Sequence, residues 1–162
     1  MDAAGHTRAL RTALGRFATG VTIVTCVDGN GAAVGLTANS FAALSLEPPL
    51  VLWALRCESP SLAAFRAAKH FAVNVLAESQ ASLSRRFASP SVDKFAEGEW
   101  SVGLGGAAVL AGVAALFECE MVSQQPAGDH VLYIGRVVRF RATTTPPLVF
   151  QAGHYRALGK LL

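Results

Sequence analysis

Short runs of β-branched and apolar residues, separated by turn signals, dominate the chain. Seven segments have the composition of a strand: "VTIVTCVD", "AAVGLT", "LVLWAL", "FAVNVLA", "VAALFECEMVSQQ", "HVLYIGRVVRFRAT" and "PLVF". The "DGNG" turn predicts a hairpin between the first two of them, and "PAGD" predicts another between the two longest. The segment "ANSFAALSLEPP" is predicted as a loop, and residues 88–108 are predicted to be irregular.

Helices are predicted to be few and peripheral. The first has an apolar face and a stop at Gly20; its face carries Leu10, Ala13, Leu14 and Phe17. A second follows Ser59, which can cap it with Pro60 at its first position, and "SQASLSRRFA" predicts a third. Because strands and helices do not alternate, the pattern excludes a doubly wound parallel sheet. It predicts a mainly β chain, an antiparallel barrel with a few flanking helices in a single domain, residues 1–162.

Composition adds that the chain is apolar for its size. Hydrophobic residues make up 52% of the 162 and charged residues only 15%, so we expect part of the surface to be covered in an oligomer. The net charge of +3 is too small to indicate nucleic-acid binding without clustering, and it suits an anionic small molecule better. No apolar run reaches the roughly 20 residues of a membrane span, so no membrane partner is expected.

The cysteines indicate a reducing compartment. Their number is odd, no Cys-x-x-Cys motif occurs, and each lies in an apolar context: Cys26, Cys57 and Cys119. We therefore expect buried free thiols in a cytoplasmic protein.

Two polar clusters lie at predicted strand ends. Thr37, Asn39 and Ser40 form the first, and one strand later Ser59 and Ser61 open a helix, whose free amides favour a phosphate. In an antiparallel barrel the two clusters could meet. Taken singly, each is also typical of a loop or of a helix cap.

Other polar residues allow two interpretations. Asn74 interrupts an apolar strand, either as a satisfied core amide or as a group that meets a heteroaromatic ring edge. Asp129 and His130 come directly before a predicted strand. They form either a turn or a pair of active-site residues. No two histidines have metal-ligand spacing on one element, so no metal site is expected.

Two motif matches are set aside. "GLGGAA" at 103–108 fits the dinucleotide fingerprint G-x-G-x-x-A, but strands follow it instead of a helix, so it is predicted to be a glycine-rich connection. A Ser-His-Asp triad is not indicated either, because no G-x-S-x-G nucleophile elbow occurs.

Taken in order, these segments resemble the flavin reductase family, the small FMN-binding split-barrel enzymes. The resemblance runs through "FATGVTIVT", "GLTANSFAALSLEPPLVLWAL", "SPSL", "FAVNVLAESQASLSRRFA", "ALFECE", "GDHVLYIGRV" and "GHYRALG". It covers nearly the whole chain, and the ordered set is more specific than any one motif. One departure is Ala108, where members of the family often have Pro.

The resemblance implies a Greek-key split β-barrel that forms a homodimer. It also implies the binding residues. The flavin would be held by Thr37, Ala38, Asn39 and Ser40, its ribityl-phosphate by Ser59 and Ser61, its ring edge by Asn74, Val75 and Leu76, and its phosphate by Arg86 in preference to Arg85. Asp129 and His130 would border the nicotinamide, with His130 as the catalytic residue that contacts NAD(P)H, and Tyr155 would flank the same pocket.

The activity implied is NAD(P)H-dependent reduction of FMN or FAD by hydride transfer to flavin N5. NADH is expected over NADPH, because no cluster of arginines near the Asp129–His130 turn marks a 2′-phosphate site. The reduced flavin would diffuse to a partner flavin-dependent monooxygenase, and the flavin could be substrate or prosthetic group. The alternative is a non-reductase flavin-binding module. A pyridoxamine-phosphate-oxidase-like enzyme would need more basic phosphate ligands.

Overall fold

The computed structural model describes residues 3–90 and 93–162, which contain three α-helices and twelve strands. The helices are α1 (Ala3–Leu14), α2 (Leu62–Ala67) and α3 (Ala81–Ala88). The strands are β1 (Thr19–Gly20), β2 (Thr22–Val27), β3 (Ala33–Ala38), β4 (Ala42–Leu46), β5 (Pro49–Arg56), β6 (His70–Val75), β7 (Trp100–Val102), β8 (Ala108–Leu110), β9 (Ala115–Ala127), β10 (His130–Ala142), β11 (Val149–Gln151) and β12 (His154–Arg156).

Seven strands form the main sheet, in the order β3-β2-β6-β9-β10-β5-β4, and every neighbouring pair is antiparallel. The strands β1, β11 and β12 form a second sheet, and β7 pairs with β8. The prediction of a mainly β, antiparallel chain is therefore confirmed. No ladder joins the edge strands β3 and β4 in the part of the chain described, so a closed barrel is not confirmed.

The two sheet edges are nevertheless held near each other. Only residues 39–41 connect β3 to β4, so the sheet curls. The β4–β5 ladder pairs Ala42 with Leu52, and Ser40 would stand opposite Ala54 if the ladder continued. The Ser40 hydroxyl replaces the two backbone hydrogen bonds of such a pair. It accepts the Ala54 N–H at 2.9 Å and donates to the Ala54 carbonyl at 3.1 Å.

The sheet separates two cores. Along β2, Ile23 packs into a cluster with Leu83 and Phe87, the Phe87 core, while the next residue, Val24, packs with Trp53, the Trp53 core. Side chains alternate across a strand, so β2 has to be apolar on both faces, and its central residues are buried. The cores also differ in lining: α3 supplies Leu83 and Phe87 to the first, and α2 supplies Phe65 to the second.

Stacked aromatic rings fill the Trp53 core. Trp53 on β5 stands directly opposite Tyr133 on β10, and their rings stack with centroids 4.7 Å apart. Phe65 packs edge-on to Trp53 at 4.9 Å. This cross-strand aromatic pair fixes the register of the β5–β10 ladder, and therefore which residues meet at the ends of these strands.

Asn74 is the polar residue at the centre of the fold. Its side chain is fully buried; Nδ2 donates to the Ile23 carbonyl at 3.0 Å, and Oδ1 accepts the Leu110 N–H at 2.8 Å. The amide thus ties β8 to the main sheet. Of the two interpretations of Asn74, the structure supports the satisfied core amide.

The glycine-rich segment at 103–108 is a tight connection between β7 and β8, as predicted. Residues Leu104–Gly106 form a 3₁₀ turn, and Gly105 (φ 62°) and Gly106 (φ 86°) have left-handed backbone that suits glycine. The Glu118 carboxylate accepts the Leu104 N–H at 2.6 Å and pairs with Arg139 at 2.9 Å, which holds the turn against β9.

Five features of the local structure differ from the predictions. Helix α1 ends at Leu14, so Phe17 lies outside it, and Gly20 belongs to β1 instead of stopping the helix. The loop predicted across 38–49 contains β4, an exposed edge strand whose small residues give no alternating pattern. The irregular stretch 88–108 contains β7 and part of β8, although 91 and 92 lie outside the described residues. Helix α2 begins at Leu62, after an N-cap at Ser61, so Ser59 does not cap it. The strand β12 was not predicted at all.

Cys57 is exposed, although all three thiols were expected to be buried. Cys26 and Cys119 are buried in the Trp53 core, and burial raises the pKa of each to about 12. Among the residues described, no helix is both long and apolar enough to cross a membrane.

Replacing Asn74 by Ala should strongly destabilise the fold. The substitution leaves the buried Leu110 N–H unpaired, at a cost of about 1–3 kcal/mol, and removes the side-chain hydrogen bond to the Ile23 carbonyl. Urea unfolding should show this as a lower midpoint. The control is Asn39→Ala, which alters an exposed asparagine and should shift the free energy of unfolding by less than about 0.5 kcal/mol. Equal stability of the two variants would contradict the role assigned to Asn74.

Candidate active site

A cleft of about 1430 Å³ opens between the edge strand β3 and the end of β5. Its walls are β3, residues 54–56, the turn at 58–61, and a third side formed by residues 87–90 with Lys94 and Phe95. His130 stands at the start of β10 on its rim. The volume exceeds the roughly 300–1000 Å³ of a pocket for one drug-sized ligand, so the cleft has room for more than one such group.

Residues of β3 form one wall of the cleft. Gly35 is buried against α3, where a Cβ atom would stand 2.8 Å from the Phe87 ring, so only glycine allows this close approach. Ala33 and Ala38 lie on the same strand. Val34, Leu36 and Thr37 line the same wall, so β3 offers a mostly apolar surface, which suits the face or edge of a flat ring.

Seven of the predicted site residues line this one cleft. They come from three separate segments and are Thr37, Ala38, Asn39, Ser40, Ser59, Ser61 and His130. The two polar clusters that could meet in an antiparallel barrel therefore do meet. The curl of the sheet brings them together, because β3 and the end of β5 lie on opposite sides of the cleft.

The other six predicted residues lie outside the lining: Asn74, Val75, Leu76, Arg86, Asp129 and Tyr155. Asn74 and Leu76 are fully buried, and Val75 follows Asn74 on β6, so none of these three side chains lines the cleft; the contact of this segment with a ring edge stays a prediction. Arg86 is also used elsewhere: its guanidinium donates to the Asp93 carbonyl at 2.8 and 3.0 Å and pairs with Glu97 at 2.9 Å. Arg85, the other candidate, lies over the Tyr155 ring at 4.9 Å.

Tyr155 is connected to the cleft wall by two hydrogen bonds that run through Ser84. Its hydroxyl is hydrogen-bonded to the hydroxyl of the fully buried Ser84 at 2.6 Å, and the Ser84 carbonyl accepts the Thr37 hydroxyl at 2.7 Å. The C-terminal hairpin is thereby linked to α3, and α3 to the cleft wall. Tyr155 does not itself line the cleft, and the expectation that it flanks the nicotinamide pocket stays a prediction.

His130 is oriented by Asp129. A carboxylate only accepts hydrogen bonds, so Nδ1 of His130 donates to Asp129 Oδ1, at 2.7 Å. The hydrogen bond from His130, and next the charge of the imidazole, hold the pKa of Asp129 below its usual range. In the neutral ring this leaves Nε2 as an acceptor. The pair is exposed at the cleft rim, with 38% of the His130 side chain accessible.

Lys94 is a cleft residue that the sequence analysis missed. Its ammonium donates to the Phe87 carbonyl at 3.0 Å and to the Gly35 carbonyl at 3.4 Å, and no carboxylate of the described residues pairs with it. Burial lowers the pKa of this lysine. An ammonium with one donor left and no counter-charge is suited to an anion. The only sequence signal was one lysine in a stretch without pattern.

Ser61 provides a second polar group without a partner. Only 8% of the residue is exposed, and its hydroxyl makes no hydrogen bond to any described residue. Ser59 differs, because its hydroxyl accepts the Ser61 N–H at 3.2 Å. The Ser61 Oγ atom is not one of the fully buried polar atoms that lack a partner, so it is accessible from the cleft, where a polar ligand can pair with it.

An ion pair lies next to His130. Arg56 stands opposite His130 in the β5–β10 ladder, and its guanidinium donates to Glu58 at 3.1 Å. Both side chains line the cleft. Among the residues described, no group of three His, Cys, Asp or Glu side chains is arranged to hold a metal ion.

The link between Tyr155 and Ser84 should be measurable as a coupling free energy. Tyr155→Phe leaves the buried Ser84 hydroxyl unpaired and should destabilise the protein by about 1–3 kcal/mol. The double variant Tyr155→Phe/Ser84→Ala removes both partners and should lose less than the sum of the single losses. Chemical denaturation of the four proteins tests this, and strictly additive losses would contradict the link.

Most of the chain is similar to proteins of one family. The profile of the family described as "Flavin reductase like domain" matches residues 14–159. A probable flavin reductase of Rhizobium meliloti (strain 1021) is 46% identical over 148 residues, which are 91% of this chain and 48% of that protein. The chain thus spans about half the length of that relative.

Two further proteins are similar over most of their own length. The reductase subunit HsaB of a flavin-dependent monooxygenase from Rhodococcus jostii (strain RHA1) is 44% identical over 93% of this chain and 77% of that protein. The structure of the NADH:FAD oxidoreductase SgcE6 of Streptomyces globisporus C-1027, in complex with NAD and FAD fragments, superposes with a TM-score of 0.90 at 35% identity, over 98% of this chain and 96% of that one. With the family profile covering residues 14–159 and the fold shared, this chain belongs to the flavin reductase like domain family.

Proposed function

We propose that the protein reduces FMN or FAD with NADH and supplies the reduced flavin to a partner flavin-dependent monooxygenase. The observation that carries this proposal is the single cleft in which three separate segments place a mostly apolar wall, unpaired polar groups and a carboxylate-oriented histidine. The relatives support it, because they are named as a probable flavin reductase, a monooxygenase reductase subunit and an NADH:FAD oxidoreductase.

The residues of the cleft fit a flavin nucleotide. The β3 wall is mostly apolar and suits a flat ring system, and its end carries Thr37, Ala38, Asn39 and Ser40. Ser61 offers a hydroxyl that makes no hydrogen bond to a described residue, and Lys94 offers an ammonium that no carboxylate of the described residues pairs with. We assign these two side chains to the phosphate, with Ser59 beside them. Lys94 replaces Arg86 in this role, because the Arg86 guanidinium is engaged by Asp93 and Glu97.

The chain contributes position and electrostatics to the reaction. When bound, the flavin supplies the acceptor for the two electrons of the nicotinamide hydride. His130, held by Asp129, lies where it can donate to or accept from the nicotinamide nucleotide and align it with the ring wall. No general base is needed, since the hydride itself is transferred. Holding two reactants in the right orientation can lower the activation free energy by roughly 7–11 kcal/mol in well-oriented systems.

The experiment is NADH oxidation, followed by loss of near-ultraviolet absorbance, with and without added FMN or FAD. We expect a rate that saturates with added flavin, and the better flavin identifies the preferred substrate. Protein that binds flavin but oxidises neither NADH nor NADPH would contradict the reductase function. It would leave the chain as a non-reductase flavin-binding module.

Two variants separate the roles within the cleft. His130→Ala should lower kcat/KM for NADH about tenfold and leave the flavin dissociation constant nearly unchanged. Lys94→Met should raise the flavin dissociation constant about tenfold, measured by quenching of flavin fluorescence. The matched control is Lys69→Met, an exposed lysine outside the cleft. Equal loss of nicotinamide use and flavin binding in His130→Ala would contradict its assignment.

We also propose that the protein is a homodimer and that the curled sheet is the Greek-key split barrel of its family. The support is apolar surface at one end of the main sheet. Leu46 is 91% exposed at the β4–β5 turn, and Phe140 is 74% exposed on the part of β10 that extends beyond its last pair with β5. An exposed apolar patch of this kind is typical of a protein interface.

The unpaired thiols Cys26, Cys57 and Cys119 support a cytoplasmic location.

Phe140→Asp should weaken the dimer, because a carboxylate would be buried in the apolar interface without a partner. Light scattering after gel filtration should show a shift toward the monomer, whereas Phe140→Leu should keep the dimer. A dimer of unchanged stability in Phe140→Asp would place the interface elsewhere.

A further inference from the structure

The strand β3 is the last strand of the main sheet on its side, so its outer backbone edge has no neighbouring strand. Along an antiparallel ladder, every second residue turns its N–H and C=O toward the partner strand and the others turn theirs away. The Asp28 N–H donates to the Ala32 carbonyl at 2.9 Å, one step beyond the Val27–Ala33 pair, and this fixes the alternation. The residues that face β2 are then Val34, Leu36 and Ala38, and those that face outward are Ala33, Gly35 and Thr37.

The pairing on the other side of β2 agrees with this assignment. The Leu76 N–H donates to the Val21 carbonyl at 2.9 Å, one step beyond the first pair of the β2–β6 ladder. By the same alternation, the backbone of Ile23 pairs with β6. Ile23 is the cross-strand partner of Thr37, so it has no N–H or C=O left for β3, and the backbone groups of Thr37 face outward.

Thr37 lines the cleft, and its outward backbone groups are free. No described residue outside the β2–β3 ladder makes a hydrogen bond to the Thr37 N–H or C=O. The Thr37 hydroxyl is already used, because it donates to the Ser84 carbonyl at 2.7 Å. A free N–H and a free C=O at a sheet edge are strong hydrogen-bonding groups for an incoming partner.

The free stretch of this edge is short. On one side of Thr37 the Gly35 carbonyl accepts the Lys94 ammonium at 3.4 Å, and on the other the Ser40 hydroxyl is bonded to Ala54. A peptide strand would need several successive outward residues, as in strand addition to a sheet. One residue with a donor beside an acceptor suits the amide edge of a ring instead.

The isoalloxazine ring carries such an edge. Its pyrimidine part has an N3–H donor with a carbonyl acceptor beside it, which complements the N–H and C=O of one extended residue. We propose that the Thr37 backbone holds this edge: the Thr37 C=O accepts the flavin N3–H, and the Thr37 N–H donates to a ring carbonyl next to N3. The inference rests on the proposed reductase function and names the group that selects the flavin ring.

Hydrogen exchange of single backbone amides, followed by NMR, tests the proposal without turnover. In the free protein the Thr37 amide should exchange at least about tenfold faster than those of Leu36 and Ala38, which pair with β2. Saturating oxidised FMN should slow exchange at Thr37 at least about tenfold. Gly153, in the turn between β11 and β12 outside the cleft, is the control and should not change.

The carboxamide of nicotinamide also has an N–H beside a C=O, so NAD⁺ without flavin is measured in parallel. NAD⁺ alone should leave exchange at Thr37 unchanged. Protection by NAD⁺ alone, or a Thr37 amide that exchanges equally fast with and without FMN, would overturn the inference.

Modified flavins test the other partner of the contact. 3-Methyl-FMN lacks the N3–H and should bind about tenfold more weakly than FMN, measured by fluorescence quenching. The control is 8-chloro-FMN, which is altered at the opposite end of the ring and should keep the dissociation constant of FMN within about threefold. Equal binding of FMN and 3-methyl-FMN would contradict the assigned contact.

A proline removes the backbone donor itself. Proline is tolerated at an outward position of an edge strand, because no ladder hydrogen bond is lost. Thr37→Pro should raise the FMN dissociation constant about tenfold above that of Thr37→Val, which loses the hydroxyl but keeps the N–H. Equal constants in the two folded variants would overturn the inference, and if Thr37→Pro does not fold, the exchange and analogue measurements decide.

The two proposals fail in different ways. If folded wild-type protein oxidises neither NADH nor NADPH with either flavin, the reductase function fails. If it oxidises NADH with FMN, but FMN does not protect the Thr37 amide and 3-methyl-FMN binds as well as FMN, only the backbone contact is contradicted.

Discussion

A single hydroxyl group stands where the ladder of the main sheet stops. The β4–β5 ladder ends at Ala42 and Leu52, and the Ser40 side chain then makes the two bonds to Ala54 that a backbone would have made. A continued ladder would bring β3 and β5 to the normal spacing of about 4.8 Å and leave no room between them. With a side-chain bridge, the sheet still curls but stays open along β3. The cleft occupies that opening.

The two cores make this opening stable. The sheet is apolar on both faces, so α3 with the Phe87 core supports β3 from one side while the Trp53 core supports β5 from the other. Gly35 and Lys94 bring α3 and the 94–95 turn close to β3, and Asn74 ties β8 to the sheet beneath the Phe87 core. The groups that shape the cleft are therefore mostly held by buried contacts, although the cleft itself is open.

Charge is distributed unevenly within the cleft. Lys94 has only carbonyl partners at one wall, whereas Arg56 at the other end is balanced by Glu58 and by the nearby Asp129. The net charge of +3 does not by itself say where a positive charge meets a ligand. What matters for an anionic ligand is that one cation is left without a carboxylate partner and the other is not.

The sequence alone determined the class of the fold and most of the cleft lining. Alternating β-branched runs and turn signals are local properties, so they predicted β2, β3, β5, β6, β9 and β10, and the resemblance of ordered motifs indicated the "TANS", "SPS" and "GDH" segments that line one cleft. The edge strand β4 and the strand β12 were missed because short, exposed strands carry little hydrophobic periodicity. Only the tertiary structure decided that Asn74 and Arg86 serve the fold, that Lys94 faces the cleft, and that Arg56 stands opposite His130. These assignments depend on which polar groups find partners across ladders and turns distant in sequence, and no local pattern records such pairings.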